Sequence, residues 1–423
     1  MATSVRASRV IQATPFFYGW VVLLAGTLGI VMMGPSQTFT VGLFVESFEQ
    51  DFGLTRSGFS LLYGLATLAA SLMLPITGRF VDRRGPRRAM VTVTLAFGVA
   101  CLAMAWVQGA LSLFIVLLLL RFLGFGSMQL VSNNAIAQWF IRRRGFVMGL
   151  SGQALAVSLL LFPALAQFLI DQFGWRGAWV AFGLLAWVIM LPVSWLFYRD
   201  RPESYGLQPD GDHVEPSQAT RLVNHEDWTL AEARRTGVFW LFAVSLAALT
   251  MIMAGLVFHQ SSLFAERGLA RETAIHAFQV SALGSIVGNL ATGQLLDKIS
   301  ARLLLAAMAV LLAAAMLMVL VMITPWQAVA YAALMGLATG SYRVMDSTVW
   351  AKYFGRLHLG KIRGATMIGT LGGTAFGAYP LGLSYDVTGS YAPALLSLLV
   401  LPLGITLAAL FVQRPGARRA ADR

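Results

Sequence analysis

The chain has 423 residues, 57% of them hydrophobic and 12% charged, with a formal net charge of +12 and a mean hydropathy of +0.71. Soluble domains carry about 25% charged residues, so this composition excludes a water-soluble enzyme, a disordered chain and a disulfide scaffold. A single cysteine, Cys101, and five scattered histidines offer no intramolecular disulfide and no metal-ligand spacing, and no cofactor is expected.

About 20 apolar residues suit one bilayer crossing, and apolar runs broken by short charged or Gly/Pro-rich turns predict twelve of them. Span 1, over 18–43, follows Arg6 and Arg9. It is too long for a signal core and no small-residue cleavage site follows it, so it reads as a retained helix. Spans 2 to 6 run over 57–78, 88–108, 111–136, 145–170 and 175–198. A polar stretch from Arg199 to Thr236 precedes spans 7 to 12, over 237–264, 272–296, 302–323, 326–350, 361–385 and 390–412. None alternates apolar and polar residues as barrel strands do. The expected fold is an all-α membrane protein with twelve transmembrane helices in two six-helix halves, 1–198 and 237–423, joined by a cytoplasmic linker, 199–236.

Charge sets the expected orientation. With the N-terminus in the cytoplasm, 25 of the 31 basic residues fall on the inner side, and only Arg56, Arg176, Arg267 and Arg271 fall outside. That asymmetry is a positive-inside signal, which predicts a multi-pass protein of the cell inner membrane with both termini cytoplasmic. The basic balance then reflects an anionic inner leaflet and not nucleic-acid binding. The partners expected are the bilayer and a small molecule, and the chain is expected to be a monomer.

The two halves repeat. Gly78-Arg-Phe-Val-Asp82-Arg83-Arg-Gly85-Pro-Arg87, between spans 2 and 3, matches Gly293-Gln-Leu-Leu-Asp297-Lys-Ile-Ser300-Ala-Arg302, between spans 8 and 9. Arg144-Gly145 matches Arg363-Gly364, and Asp171 with Gly174 matches Asp386 with Gly389. Recurrent loop chemistry explains one such match, whereas three in the same order argue for duplication.

The loop from Gly78 to Arg88 resembles the cytoplasmic signature of the major facilitator superfamily. Tyr18-Gly19-Trp20, Pro35 to Phe44, Arg201-Pro-Glu with Gly206 to Gly211, and Asp227-Trp-Thr-Leu-Ala-Glu before Phe239-Trp240 resemble bacterial relatives of the monocarboxylate and oxalate:formate porters. Tyr18 stands where the monocarboxylate signature has an acidic residue. The resemblance implies two halves that rock about a midplane substrate site. It also implies a cytoplasmic gate made by Gly78, Asp82, Arg83, Gly85 and Arg87, with Asp297 and Arg302 in the second half.

An ionisable group within a span is costly and marks a functional candidate. Arg121 lies about ten residues into span 4, which is ~15 Å deep and near the midplane. With Gly124 and Gly126 it resembles the superfamily's motif in this helix, whose arginine is associated with coupling and substrate interaction. The alternative is an arginine that locks helices through carbonyls. Arg343 and Asp346, at i and i+3 on span 10, share a face and can pair, as an inner gate, a proton-coupling pair or a substrate contact. Gln37, Gln129, Asn133, Asn134, Gln153, Gln279, Asn289, Tyr342 and Tyr379 can together line a polar path, although any one can instead bond a neighbouring helix. His259 falls near the outer surface, as an interfacial residue or as a gate or anion contact.

Two motifs mislead. Gly355 to Ile362 matches a phosphate-binding loop, but Ile362 replaces the magnesium-binding hydroxyl and no strand precedes it. Gly369, Gly373 and Gly377 suit close helix packing more than dimerisation. The functional expectation is a secondary transporter of a small organic anion, monocarboxylate-like, by proton symport or anion exchange. The alternatives are a carrier of another metabolite or vitamin, an efflux pump, or a membrane sensor or enzyme, the last disfavoured because no soluble catalytic domain is present.

Overall fold

The structure is a computed structural model and describes residues 11, 14–141, 143–211, 228–296, 298–355 and 359–411. Every regular element among them is helical, as it must be where lipid leaves a backbone to satisfy its own polar groups. In chain order the main helices are α1 (Gly19–Val31), α2 (Arg56–Met104), α3 (Ala110–Leu120), α4 (Gln129–Trp139), α5 (Arg144–Gly152) and α6 (Ala154–Leu196). There follow α7 (Gly237–Phe258), α8 (Arg271–Leu295), α9 (Ala301–Val321), α10 (Pro325–Phe354), α11 (Leu359–Phe376), α12 (Ala378–Thr388), α13 (Ala392–Leu398) and α14 (Val400–Phe411).

Two of these are pairs of spans. α2 has 49 residues and α6 has 43, more than one crossing needs, and each is folded at an interior glycine. Gly85 (φ 78°, ψ 159°) and Gly174 (φ 68°, ψ 172°) adopt backbone that side chains rarely enter, so the chain reverses there without a loop. Eight helical segments of the described chain are long and apolar enough to cross a membrane, and two of them are these folded pairs. With α10 and α11–α12, which the charged and glycine-rich stretches keep below that apolarity, the described residues form twelve spans.

The chain divides into two compact units. The first comprises Met1–Leu54 and Leu65–Ala219, and the second comprises Thr55–Gly64 and Thr220–Arg423. In the first, α1 packs against α4 and α6. Its buried Trp179 sits 4.9 Å from the Phe44 ring and 5.8 Å from Phe182. In the second, α8 packs along α10 with backbones almost touching, because a Cβ at Gly336 or Gly340 would overlap the Ser281 or Ser285 carbonyl. α9 packs on α10, and Phe239 of α7 meets Trp350 of α10, which stacks on Phe354. Local sequence fixes the starts of both flanking helices. Thr236 accepts from Phe239 N ahead of α7, and Thr324 and Gln327 form a reciprocal capping box with Pro325 at the first turn of α10.

Candidate substrate site and gates

Span 1 is interrupted within its own length. α1 ends at Val31, Gly34–Ser36 forms a 3-10 turn, and Gln37 is extended (φ −78°, ψ 151°) before Thr38–Val41 resumes the helix. Backbone bonds from Ser36 N to Met33 O and from Gln37 N to Gly34 O (both 3.0 Å) close the turn, and Thr40 Oγ1 donating to Gly34 O (2.8 Å) and Ser36 Oγ to Met33 O (2.7 Å) reinforce it. The break turns the Ser36 carbonyl towards span 4.

Arg121 meets it there. The residue is 1% exposed, its Nη1 donates to Ser36 O (2.8 Å) and its Nε to Thr67 Oγ1 (3.1 Å), and its guanidinium lies 4.0 Å from the centre of the Phe125 ring. It thereby joins the broken span 1 to α2 and to its own span. Arg121–Met128 forms a π-helical stretch between α3 and α4, an irregularity that concentrates at functional sites. Gly124 makes the approach possible, because a Cβ there would overlap the Ser36 side chain. One turn further on, Thr77 Oγ1 and Ser127 Oγ bond at 2.7 Å. Gln37, 5% exposed, lies beside this junction, and its amide Nε2 has no hydrogen-bond partner among the described residues.

The other polar candidates divide between the two units. In the first, Gln129, Asn133, Asn134 and Gln153 are half-buried, and Asn134 Oδ1 accepts from Gln138 Nε2 (2.6 Å) within α4. Gln153 stands at the junction of α5 and α6. In the second, Tyr342, Arg343 and Asp346 are half-buried on α10, Gln279 and Asn289 on α8, and Tyr379 on α12. Asp346 forms an ion pair with Arg363 of α11, at 3.2 Å, one helix away from its own.

His259 is buried within the second unit. It is 0% exposed, with Nε2 3.0 Å from Ala378 O and 3.3 Å from Ser60 Oγ, and Nδ1 3.4 Å from Tyr391 Oη. A carbonyl only accepts, so Nε2 holds the proton and Nδ1 accepts from Tyr391. The cover comes from Thr55–Gly64, which groups with the second unit. Arg56 donates to Tyr391 Oη with its guanidinium 3.7 Å from the centre of the Tyr385 ring, while Asp386 accepts from Arg56 N (3.2 Å) and Ser57 N (2.8 Å). Burial raises the Asp386 pKa, but the hydrogen bonds from Ser57, Thr55 and the Arg56 backbone outweigh it and hold the carboxyl below its ordinary value.

At the Gly78 to Arg88 loop, Gly78 is half-buried and Asp82 and Arg83 are exposed, with no hydrogen bond or ion pair of Asp82 among the described residues. The carboxylate that faces Gly85 is Asp200, which would overlap any Cβ added there. Arg87 lies over the Trp195 ring at 4.4 Å, and burial first, then the charge of Arg199, lower its pKa. Trp139 Nε1 donates to Asp200 O (2.8 Å), and Asp210 accepts from Ile141 N (2.9 Å) and Arg143 N (3.1 Å). The segment after α6 therefore folds back on the ends of spans 2 to 5. In the second half, Arg302 is half-buried at the start of α9, whereas Asp297 lies outside the described residues. Sequence reasoning gave no role to Ser36, Thr67, Asp200, Asp210 or Arg363, although Asp210 and Arg363 stand within the quoted motifs. Asp210, in a Pro-Asp-Gly turn, carried a local signal, and Arg363 carried one in the repeat.

A family model described as Major Facilitator Superfamily matches residues 21–378. The chain is 23% identical over 284 residues to the uncharacterized MFS-type transporter YhjX of Escherichia coli (strain K12), covering 66% of this chain and 67% of that protein. It is 22% identical over 299 residues to a gallate transporter of Pseudomonas putida, covering 66% of each, and 27% identical over 288 residues to monocarboxylate transporter 11 of Mus musculus, covering 66% of this chain and 60% of that one. These alignments thus span about two thirds of the relatives' length. Among solved structures, a bacterial homolog of the human lysosomal transporter Spinster, described as inward-facing and unoccupied, superposes with a TM-score of 0.67 at 16% identity, covering 95% of both chains. The fold is the same, and the family match and the relatives make this chain a transporter and not an enzyme. It belongs to the Major Facilitator Superfamily and is a secondary transporter of that type.

Proposed function

We propose that this transporter moves a small organic anion of the monocarboxylate kind across the cell inner membrane, by proton symport or anion exchange. The observation that carries the reading is Arg121, a guanidinium buried beside a broken helix and a partnerless Gln37 amide donor; helix spacing puts it ~15 Å into its span. Broken helices at such a depth form transporter binding sites. The printed names of the relatives support the anion: gallate, galactonate, sulfoacetate and monocarboxylates are all small organic acids.

In this reading Arg121 offsets the substrate's negative charge, and Gln37, Asn133, Asn134, Gln153, Asn289, Tyr342 and Tyr379 line the path. Arg343 and Asp346 couple or gate, and His259 closes the outer side. Halves 1–198 and 237–423 rock about the site, joined by the cytoplasmic linker 199–236. Gly78, Asp82, Arg83, Gly85 and Arg87, with Asp297 and Arg302, latch the cytoplasmic side. The chain works as a monomer with both termini in the cytoplasm.

The test is uptake into proteoliposomes of a panel of monocarboxylates, hydroxybenzoates and short sulfonates, with and without a pH gradient. Lysine cannot reproduce the two-sided donation of arginine, so Arg121→Lys is expected to cut uptake at least tenfold while the protein stays folded. Unchanged kinetics would remove Arg121 from the site. Loss of accumulation when the gradient is collapsed is the result expected of symport, and persistence that depends on internal anion is the result expected of exchange.

A further inference from the structure

α7 and α11 lie side by side but are not parallel in contact. A Cβ at Gly373 would overlap the Ala247 carbonyl and one at Gly377 the Met251 carbonyl, so the helices touch there backbone to backbone. Towards the other end they part. Gly369 reaches Ala247 only at ordinary contact distance, 3.4 Å, and nothing lies within 4 Å of a Cβ on Gly372. The opening is a groove of about 620 Å³ lined by Phe239, Ala243, Ala247, Gly369, Gly372 and Phe376, with Arg234 at its end.

Its rim is apolar and exposed, with Trp240 53%, Val244 59% and Ile368 75% accessible. Groups of that kind at membrane depth face hydrocarbon. From Phe239 to Met251 the groove runs twelve residues of helix, ~18 Å, close to the ~15 Å hydrocarbon depth of one leaflet. The Trp240 indole N–H is tied to the Arg234 carbonyl (2.8 Å), as a tryptophan at a membrane interface would be. Arg234, Arg235 and Lys361 are exposed at this end and form no ion pair among the described residues, while the nearby Glu232 caps Thr229.

We propose that this groove holds one acyl chain of an anionic phospholipid, whose phosphate is bound by Arg234, Arg235 and Lys361. An apolar slot about one leaflet deep that ends in basic side chains is complementary to such a lipid. The inference is independent of the transported substrate. It requires only that α7 begins at a headgroup surface, so a failure of the transport reading leaves it standing.

Native mass spectrometry of the purified full chain in detergent, titrated with palmitoyl-oleoyl phosphatidylglycerol and separately with the phosphatidylcholine of the same chains, tests it. The expected result is one phosphatidylglycerol bound at least tenfold more tightly than phosphatidylcholine. Gly372→Leu places a side chain in open space, so it is expected to fold and to abolish this binding. Arg234→Gln with Arg235→Gln is expected to abolish the preference for the anionic lipid, and thermal unfolding without lipid confirms that both variants are folded. Equal binding of the two lipids by the wild type, unchanged binding by Gly372→Leu, or a change of oligomeric state in Gly372→Leu would overturn the proposal, the last by assigning the groove to a second copy of the chain.

Discussion

A buried amide donor left without a partner costs about 1–3 kcal/mol, and Gln37 Nε2 is such a donor in a residue that is 5% exposed. A protein keeps such a group where it is needed by something that comes and goes. The two roles open to Gln37 predict opposite signs. If it braces span 1, Gln37→Leu destabilises the protein; if it receives substrate, the substitution removes an unsatisfied group and the unliganded protein is stabilised by about 1 kcal/mol while transport falls at least tenfold. The second outcome is expected, measured by thermal unfolding without substrate and by uptake. Gln37 was readable as a polar residue in an apolar run, but its significance was not. Gly34-Pro35 marks a break locally, but the Arg121 bond to the Ser36 carbonyl and the Gly124 contact are products of two helices meeting, and nothing in 18–43 alone specifies them.

Helix ends are where individual elements are fastened. The first turn of α2 has orphan N–H groups, and those of Arg56 and Ser57 are taken by Asp386 from the last turn of α12. An anion beside a helix N-terminus is favourable. Because the folded carboxyl titrates below its ordinary value, its contribution is complete above the unfolded value near pH 4 and is lost as pH falls through the folded one. Asp386→Asn is therefore expected to cost about 1 kcal/mol at pH 7, at the low end for a charged acceptor because the carboxylate is exposed. The difference from wild type is expected to shrink steadily as pH falls below about 4, which thermal unfolding across the acid range measures; a constant difference would assign the effect to packing. The duplication visible in sequence placed Asp386 opposite Asp171 and said nothing of this role. Asp171 accepts from Gln167 of its own helix (2.6 Å), so equivalent positions in the two halves have acquired different partners. The same limit applies to Asp346, whose partner Arg363 lies seventeen residues away on a helix whose neighbours periodicity does not name.

At the scale of the whole molecule, the features set by lipid were legible and those set by packing were not. Span number, helical class and the reversals at Gly85 and Gly174 follow from apolar length and from glycine between runs. That Thr55–Gly64 groups with the second unit depends on contacts to residues some 330 positions later, which no local pattern encodes. Orientation is a property of the whole chain, and charge decides it: with 25 basic residues assigned to one side and four to the other, reversing the protein would carry most of its cationic loops across. The chain supplies its own blank for measuring this, because its single cysteine, Cys101, is fully buried. Arg83→Cys, in an exposed turn expected on the cytoplasmic side, and Gln172→Cys, in an exposed turn expected outside, each place one reactive thiol. A membrane-impermeant maleimide is expected to label Gln172→Cys in intact spheroplasts and Arg83→Cys only in inverted vesicles, with wild type silent in both. Labelling of both variants from one face would contradict the positive-inside reading and the latch at Gly78 to Arg88 with it, since a gate on the cytoplasmic side needs that loop to be there.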